Sequence, residues 1–575
     1  MATAHQDGES GHGERGAEWR LGVEPGDPPA HEPAPVASAR DLSHARLTRA
    51  LHVVTVEHLG WALIALYTIA TRLVALGARP LDDGEARNAL YAFDLTGGAS
   101  GAGYHPASAG WLHLITAGFF GVIGASDCTA RMVFALAGIM LVATAFALRP
   151  YLGRAGGLAL GAMLALSPGV TWFSRASAPA TAASAMELIT IVLYLALTAR
   201  PAKYRAALLG GAAGLMMAAD PSGIATAAIF LAALAILGLY GMVTRRNVYL
   251  GVRVWLDRYA PLLVTVIVTA VVCWWASQMM VPDGFDPARI AALMPRLPHR
   301  LAPPGSITGL RALVPPLACD DFLIVIAAAI GLGVIAAMRV RSRFAAWCVL
   351  WMAMSVGFYL RTAAASGNDR EHLEILVQML LPMAVVGAIG LNWLHRIAAW
   401  RQIRIALLIL VLFTLHATAV ADFVRATPDA SEAPWARHGN LYWGADATTD
   451  QTRTFGYRAA DGLTPAAATV HFDGAIAAPI HWYLRSLRPV ATAQAASVIV
   501  THAAPPSDED SADTAVYRFG AAATWSPDYA TIDFSRALRF FLTGAVWSPV
   551  TYDEITLAIR RAGGSAPTVI LTPGQ

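Results

Sequence analysis

The chain has 575 residues, of which 56% are apolar and 14% are charged, and its mean hydropathy of +0.49 is too high for a soluble globular protein. The net charge of +3 is too small to indicate nucleic-acid binding, and the basic residues fall in short clusters between apolar segments. The composition therefore predicts a polytopic membrane protein.

The N-terminal residues are rich in glycine, proline, glutamate and histidine and contain almost no apolar clusters. Such a segment cannot bury enough surface to fold, so residues 1–45 are predicted to form a disordered N-terminal tail. This tail also lacks the early apolar region of a cleavable signal peptide. We therefore expect the first apolar segment to remain in the protein as a membrane anchor.

Twelve apolar segments follow, most of them about as long as a bilayer crossing requires. Their approximate positions are 59–77, 108–124, 129–148, 156–174, 181–198, 206–219, 222–240, 260–278, 321–338, 344–360, 374–394 and 403–421. Residues 46–425 are accordingly predicted to form the transmembrane domain.

Short basic loops indicate the orientation of these segments. The loops contain Arg149, Arg200, Arg246, Arg341 and Arg401. An even number of apolar segments separates each loop from the next, so all five loops can be cytoplasmic. A cytoplasmic N-terminal tail then requires that one of the first three segments does not cross. We interpret segment 108–124, which is short and rich in glycine, as re-entrant or membrane-parallel, which leaves about eleven crossings. An external N-terminus is the alternative.

The first loop, residues 79–111, contains the acidic residues Asp82, Asp83 and Glu85 and lies on the external face in this topology. A carboxylate there could take a proton from an acceptor hydroxyl while a sugar leaves a lipid phosphate, or could bind a divalent cation such as Mg²⁺ or Mn²⁺ on that phosphate. Asp83 and Glu85 are the leading catalytic candidates. Alternatively, Asp82 or Asp83 caps a helix over about 84–95, with Glu85 stabilised in its first turn.

Several basic residues are candidates for phosphate binding. Arg72 lies inside the first apolar segment, so it either extends to the interface or pairs with a carboxylate or phosphate. Arg175 could bind a lipid phosphate or anchor its helix at the interface beside Trp172. Arg370 and His372, in a later external loop, could contact a phosphate or form local ion pairs.

No metal site is predicted from the histidines and cysteines. His105 and His113 are eight residues apart without a third partner, and the four cysteines are scattered without a CxxC pair. Tyr104 and His105, further along the first loop, remain candidates for substrate binding.

The last part of the chain, residues 426–575, has mixed polarity. Short strand-like runs occur at 469–472, 497–501, 515–519 and 568–571. This part is predicted to be a small α/β domain on the external face.

Short motifs in a shared order carry a family resemblance. They are Arg72-Leu73, Leu76-Gly77-Ala78-Arg79-Pro80 with the acidic loop, Gly124-Ala125-Ser126-Asp127, Thr129-Ala130-Arg131, Leu152-Gly153-Arg154, Leu166-Ser167-Pro168, Ser174-Arg175, Trp482-Tyr483-Leu484-Arg485 and Val546-Trp547-Ser548-Pro549. Across most of residues 60–560, the chain resembles the GT-C superfamily of polyprenyl-phosphate-sugar-dependent glycosyltransferases, and most closely the flippase-activity-associated branch related to protein mannosyltransferases.

The resemblance implies a mainly α, GT-C-like polytopic membrane protein with juxtamembrane helices after the first loop. It also implies that a carboxylate of this loop lies at the reacting centre, and that a polyprenyl-phosphate sugar is the donor, usually with inversion at the sugar carbon. The predicted function is transfer of this sugar to an envelope acceptor at the cell (plasma) membrane. The substrate-binding candidates are Arg72, Asp82, Tyr104, His105, Arg175, Arg370 and His372.

The chain also departs from the family pattern, in which the loop carries an adjacent Asp-Glu pair. Here Gly84 separates Asp83 from Glu85, and the alanine-rich stretch 176–180 follows Arg175 where relatives tend to carry further arginine and aspartate. These departures motivate a second hypothesis, a catalytically inactive GT-C-like scaffold or lipid-binding subunit with protein partners in a membrane complex. Translocation of a lipid-linked sugar is a third hypothesis.

Overall fold

The computed structural model describes most of the chain between Val56 and Arg560. The described residues are 56–97, 104, 110–243, 248–280, 317, 321–337, 342–365, 375–397, 447–448, 450–461, 468–474, 476–502, 514–525, 531, 533–536 and 550–560. The predicted N-terminal tail, the apolar segment 403–421 and the strand 568–571 lie outside these residues, as do His105, Arg370 and His372.

Helices dominate the described residues up to Ile397. They are α1 Val56–Leu73, α2 Asp83–Leu95, α3 Gly110–Ile123, α4 Asp127–Ala147, α5 Arg149–Leu166, α6 Pro168–Arg175, α7 Pro179–Ala199, α8 Lys203–Ala219, α9 Pro221–Val243, α10 Val248–Met279, α11 Phe322–Ala337, α12 Arg343–Ala365 and α13 Ile375–Ile397. Each predicted apolar segment that falls within the described residues coincides with one or two of these helices.

Six of the described helices are long and apolar enough to cross a bilayer. Their membrane-length portions are Asp127–Ala147, Pro179–Ala199, Pro221–Tyr240, Ala260–Met279, Arg343–Leu360 and Leu376–Arg396. Helices α5 and α6 together would make a seventh span, whereas α3 and α11 are apolar but shorter. The chain is therefore an integral membrane protein, and the count of eleven crossings stays a prediction.

The apolar segment predicted over 156–174 consists of two helices with a bend between them. Helix α5 ends at Leu166 and α6 begins at Pro168, with a bend of 56° between them. Pro168 has no N–H to continue the helix, and its ring disfavours helical geometry at Ser167, which is extended with ψ 121°.

Side chains from other helices bind the polar groups that this bend leaves open. Arg72 of α1 donates to the carbonyl of Leu164 at 3.0 Å. The carboxylate of Asp321, which immediately precedes α11, accepts from the Ser167 hydroxyl at 2.5 Å and from the Gly169 N–H at 3.2 Å. Arg72 therefore binds a carbonyl near the end of α5, and Asp321 binds donors at the start of α6.

Glycines allow the membrane helices to approach closely. A Cβ placed on Gly331 of α11 would lie 2.3 Å from the carbonyl oxygen of Val386 in α13. Small residues at such contacts let two helix backbones pack against each other in an apolar environment.

After the membrane helices the described chain forms a six-stranded mixed sheet. Its elements are β1 Ala447–Thr448, α14 Asp450–Asp461, β2 Thr469–Asp473, α15 Ala478–Tyr483, β3 Arg488–Pro489, β4 Val498–Thr501, β5 Thr514–Trp525 and β6 Val550–Arg560. The strand order is β1-β5-β6-β4-β2-β3, in which β2 is parallel to both β3 and β4 and the other pairs are antiparallel.

Three of the predicted strands are confirmed, at 469–472, 497–501 and 515–519. Strand β6 was not predicted, although Ile555 and Leu557 alternate with polar residues and pack into the core of the sheet. The domain boundaries at 45 and 425 stay predictions.

A pair of glycines on α11 provides a test of the close helix contact. We expect Gly331→Ala to destabilise the protein by about 1–3 kcal/mol, because its Cβ would overlap the Val386 backbone. Gly333→Ala is the matched control, since a Cβ on Gly333 meets nothing within 4 Å. Thermal unfolding of the purified protein in detergent measures both variants, and equal unfolding temperatures would contradict the packing.

Candidate functional site

The candidate site begins where α2 starts, in the first loop. Asp82 is the N-cap of this helix, and its side chain accepts from the N–H of Glu85 at 2.9 Å. The Glu85 carboxylate in turn accepts from the N–H of Asp82 at 3.0 Å, which completes a capping box. The interpretation that Asp82 caps a helix is therefore confirmed.

Glu85 is buried, and both of its carboxylate oxygens are occupied. Arg131 of α4 donates to them from Nε at 2.9 Å and from Nη2 at 2.6 Å. Arg79 also donates to this carboxylate, at 2.7 Å. The N–H of Ser177 is a further donor to it, at 3.1 Å. Burial favours a higher pKa for Glu85, but Arg131 and Arg79 outweigh it and hold the pKa well below its usual range. Glu85 is therefore a carboxylate that links α2, α4 and the turn before α7.

Arg131 extends this network into the backbone of the first loop. Besides Glu85, its guanidinium donates to the carbonyls of Leu76, Arg79 and Pro80 at 3.1, 2.6 and 2.8 Å. The ion pair with Glu85 has side-chain exposures of only 1% for Arg131 and 2% for Glu85. One buried arginine thus fixes the chain that leads into α2.

Asp83 occupies a different environment from Glu85, although the two residues are neighbours. Its side chain is 34% exposed, and its Oδ2 pairs with Arg87 Nη2 at 2.7 Å. Its Oδ1 accepts from the N–H of Ala478, the first residue of α15, at 2.9 Å. The Arg87 side chain is 57% exposed and lies over the Tyr104 ring, with 5.6 Å from Cζ to the ring centroid. Asp83 and Arg87 therefore form an accessible charged pair beside an aromatic ring.

The segment that contacts Asp83 is held against the membrane helices by Asp127, the first residue of α4. One Asp127 oxygen accepts from Trp482 Nε1 at 2.8 Å, and the other accepts from the Tyr483 hydroxyl at 3.0 Å. The Tyr483 oxygen also accepts from the N–H of Leu81 at 2.9 Å. Burial and the charge of Asp127 raise the pKa of Tyr483 well above its ordinary value, so this hydroxyl keeps its proton.

His481 lies on α15 close to Asp83. Its ring centroid is 3.8 Å from that of Phe472 and 6.0 Å from that of Tyr104, which it meets edge-on. Burial lowers the pKa of His481 to about 4, and the opposing influence of the Asp83 charge is smaller. The imidazole is therefore neutral near pH 7.

Arg72 and Arg175, two candidates for phosphate binding, donate hydrogen bonds to backbone carbonyls. Arg72 is 0% exposed, and its guanidinium donates to the carbonyl of Leu164 at 3.0 Å. Arg175 donates to the carbonyls of Thr71, Val74 and Ala75 at 2.6, 2.8 and 3.0 Å, and thereby caps the C-terminal end of α1. A contact of either arginine with a lipid phosphate stays a prediction.

Of the two histidines considered as metal ligands, His113 is described by the structure and His105 lies outside the described residues. His113 of α3 is buried and meets the Tyr91 ring edge-on, with 5.2 Å between ring centroids. Within the described ranges, no three His, Cys, Asp or Glu side chains are grouped so that they could hold a metal ion. A divalent cation on the substrate phosphate stays a prediction.

Four residues of the site were not predicted: Arg87, Asp127, Arg131 and His481. Asp127 and Arg131 were part of the motifs that carry the resemblance, but their partners were not identified. A charged residue in an apolar segment requires a partner of opposite charge, so the position of Arg131 within segment 129–148 could have predicted an ion pair. Arg87 follows Asp83 by four residues on a helix, which is the spacing of an ion pair.

Comparisons with known proteins bear on the fold. No protein-family model matches the sequence, and no curated protein matches it either. The structure is similar to two crystal structures of ArnT from Cupriavidus metallidurans, one in the apo state and one bound to undecaprenyl phosphate. Each comparison has a TM-score of 0.50 and 15% sequence identity, and covers 87% of this chain and 98% of the ArnT chain. The likeness shows that the chain has a fold similar to that of ArnT, and both the GT-C superfamily and its flippase-associated branch stay predictions.

The Glu85–Arg131 pair should be essential for stability. We expect Glu85→Gln to lower the free energy of unfolding by about 3–5 kcal/mol, because it leaves the buried Arg131 without a matching charge. Asp94→Asn, near the end of the same helix, is the control. Chemical unfolding in mild detergent measures the difference, and equal stability of the two variants would show that the pair is not required.

His481 should make the stability depend on pH in a defined window. Its pKa falls from 6.5 to about 4 on folding, so the unfolded chain binds more protons between these values. The free energy of unfolding therefore decreases as the pH falls from 6.5 to 4, and His481→Asn should reduce this decrease. Unfolding midpoints from tryptophan fluorescence test this, with His502→Asn as control. An unchanged pH dependence in His481→Asn would contradict the assignment.

Proposed function

We propose that the chain is a membrane glycosyltransferase that transfers a sugar from a polyprenyl-phosphate donor to a hydroxyl of an envelope acceptor. The similarity to ArnT supports this class, because one of the ArnT structures contains undecaprenyl phosphate. The site supports it further, because an accessible carboxylate and an accessible arginine lie side by side in the first loop.

The observation that carries the proposal is the difference between the three loop carboxylates. Asp82 caps α2, and Glu85 is enclosed by two arginines and two N–H groups. Of these three carboxylates, only that of Asp83 is substantially exposed. We therefore assign the role of general base to Asp83, and we assign to Glu85 the role of holding the loop in place.

The reaction is a single displacement at the sugar carbon that is bonded to phosphate. The acceptor oxygen forms a new bond to this carbon while the carbon–oxygen bond to phosphate breaks, and the polyprenyl phosphate leaves with the bonding electron pair. Asp83 accepts the proton of the acceptor hydroxyl as the new bond forms. Attack opposite to the leaving group inverts the configuration at the sugar carbon.

Among the described arginines near the first loop, Arg87 is placed to bind the leaving phosphate. It lies beside Asp83 and is more than half exposed, whereas Arg72, Arg131 and Arg175 are engaged with backbone carbonyls. A guanidinium can bind two phosphate oxygens at once and offset the charge that develops on the leaving group.

The second candidate function, a catalytically inactive lipid-binding scaffold, also has an observation in its favour. Each Asp83 oxygen already has a partner, Ala478 on one side and Arg87 on the other. Under this candidate the chain binds undecaprenyl phosphate but does not turn over any polyprenyl-phosphate sugar.

Substitution of Asp83 distinguishes the two candidates. Asp83→Asn keeps the shape of the side chain but removes the base, so we expect sugar transfer to fall by about 100-fold or more. The assay measures release of undecaprenyl phosphate from a panel of radiolabelled undecaprenyl-phosphate hexoses and pentoses by the purified protein in nanodiscs. Binding of undecaprenyl phosphate is measured in parallel and should change little.

Asp94→Asn serves as the control, because Asp94 lies on the same helix three turns from Asp83. Full activity of Asp83→Asn would remove the assignment of the base. Binding of undecaprenyl phosphate without turnover of any donor by the unsubstituted protein would favour the scaffold.

A further inference from the structure

The proposed base depends on a contact from a distant part of the chain. Asp83 Oδ1 accepts from the N–H of Ala478, which is 395 residues further along. This N–H opens the short helix α15 and belongs to the segment that carries His481, Trp482 and Tyr483. The orientation of the Asp83 carboxylate is therefore set jointly by α2 and α15.

Asp127 fixes the position of α15. It is buried at the start of α4, where the capping box of Ser126 and Thr129 orders the first turn. Its two oxygens accept from adjacent residues of α15, Trp482 and Tyr483. Two charge-assisted hydrogen bonds from neighbouring side chains restrain both the position and the rotation of so short a helix.

Further contacts join the same segment to both sides of the site. Arg485 donates to the carbonyl of Ala125 at 2.7 Å and stacks on Trp482, with 3.8 Å from Cζ to the ring centroid. The Tyr483 hydroxyl binds the N–H of Leu81, two residues before Asp83. Residues 478–485 therefore bridge the turn before α2 and the turn before α4.

We infer that Asp127 is a positioning residue for the proposed transfer reaction: through Trp482 and Tyr483 it holds the Ala478 N–H against Asp83, so that the carboxylate faces the acceptor hydroxyl. Asp127 itself does not touch the substrate. The segment 478–485 is on this inference an integral part of the site. The inference rests on the proposed function.

The geometry indicates what the loss of this contact would do. A carboxylate oxygen can accept more than one hydrogen bond, so Asp83 can bind Ala478 and still receive a proton. Without Ala478, only Arg87 would orient the carboxylate, and both of its oxygens could turn toward the guanidinium. Donor binding would persist, but the base would be misplaced, and small misplacements of catalytic groups can reduce rates by about 100-fold.

Two variants test the inference. Asp127→Asn alters both hydrogen bonds, and Trp482→Phe removes only the indole donor. We expect each variant to lower kcat by about tenfold to 100-fold, with a KM for the undecaprenyl-phosphate sugar within about twofold of the unsubstituted value. Amide hydrogen exchange of residues 478–483 should accelerate while α4 keeps its protection. His502→Asn, at the residue that follows β4, is the control for both measurements.

The outcomes separate this inference from the proposed function. Unchanged kcat despite faster exchange at 478–483 would overturn the positioning role and leave the transfer reaction intact. A kcat loss with faster exchange throughout α2 and α4 in both variants would also overturn it, because the effect would then be general unfolding. If the unsubstituted protein turns over no donor, the proposed function fails and the positioning role fails with it, whatever the exchange data show.

Discussion

The buried ion pair between Glu85 and Arg131 is the interaction on which the site depends. Removing two charges from water is costly, and a pair alone does not recover this cost unless further hydrogen bonds satisfy both partners. Here Glu85 also accepts from Arg79 and two backbone N–H groups, and Arg131 also binds three carbonyls. The pair thereby fixes the start of α2 and places the neighbouring Asp83 where it is accessible.

Three described arginines of the membrane domain fall into two groups by what they bind. The last carbonyls of a helix have no hydrogen-bond partner within that helix. Arg72 binds such a carbonyl at the end of α5, and Arg175 binds those at the end of α1. Arg87 instead pairs with a carboxylate on an accessible surface. This division directs the search for a lipid phosphate to the start of α2.

The sequence predicted much of the fold, because apolar length and short-range spacing are local properties. A helix over about 84–95 with Asp82 or Asp83 as its cap followed from the acidic residues at its start, and the membrane helices followed from apolar length. The bend at Pro168 had a local signal that was outweighed by the apolar run around it. The contact of Asp127 with Trp482 spans 355 residues, and no local pattern specifies such a pairing. For the same reason, the motifs did not predict that α15 reaches Asp83.

On the proposed function, the start of α2 binds the phosphate of a polyprenyl-phosphate donor near Asp83. The most direct measurement is a cryo-electron microscopy structure of the protein in nanodiscs with undecaprenyl phosphate. We expect the phosphate to contact Arg87, with space for the sugar between the phosphate and the Asp83 carboxylate. A phosphate bound elsewhere, with Arg87 still paired to Asp83, would contradict this expectation.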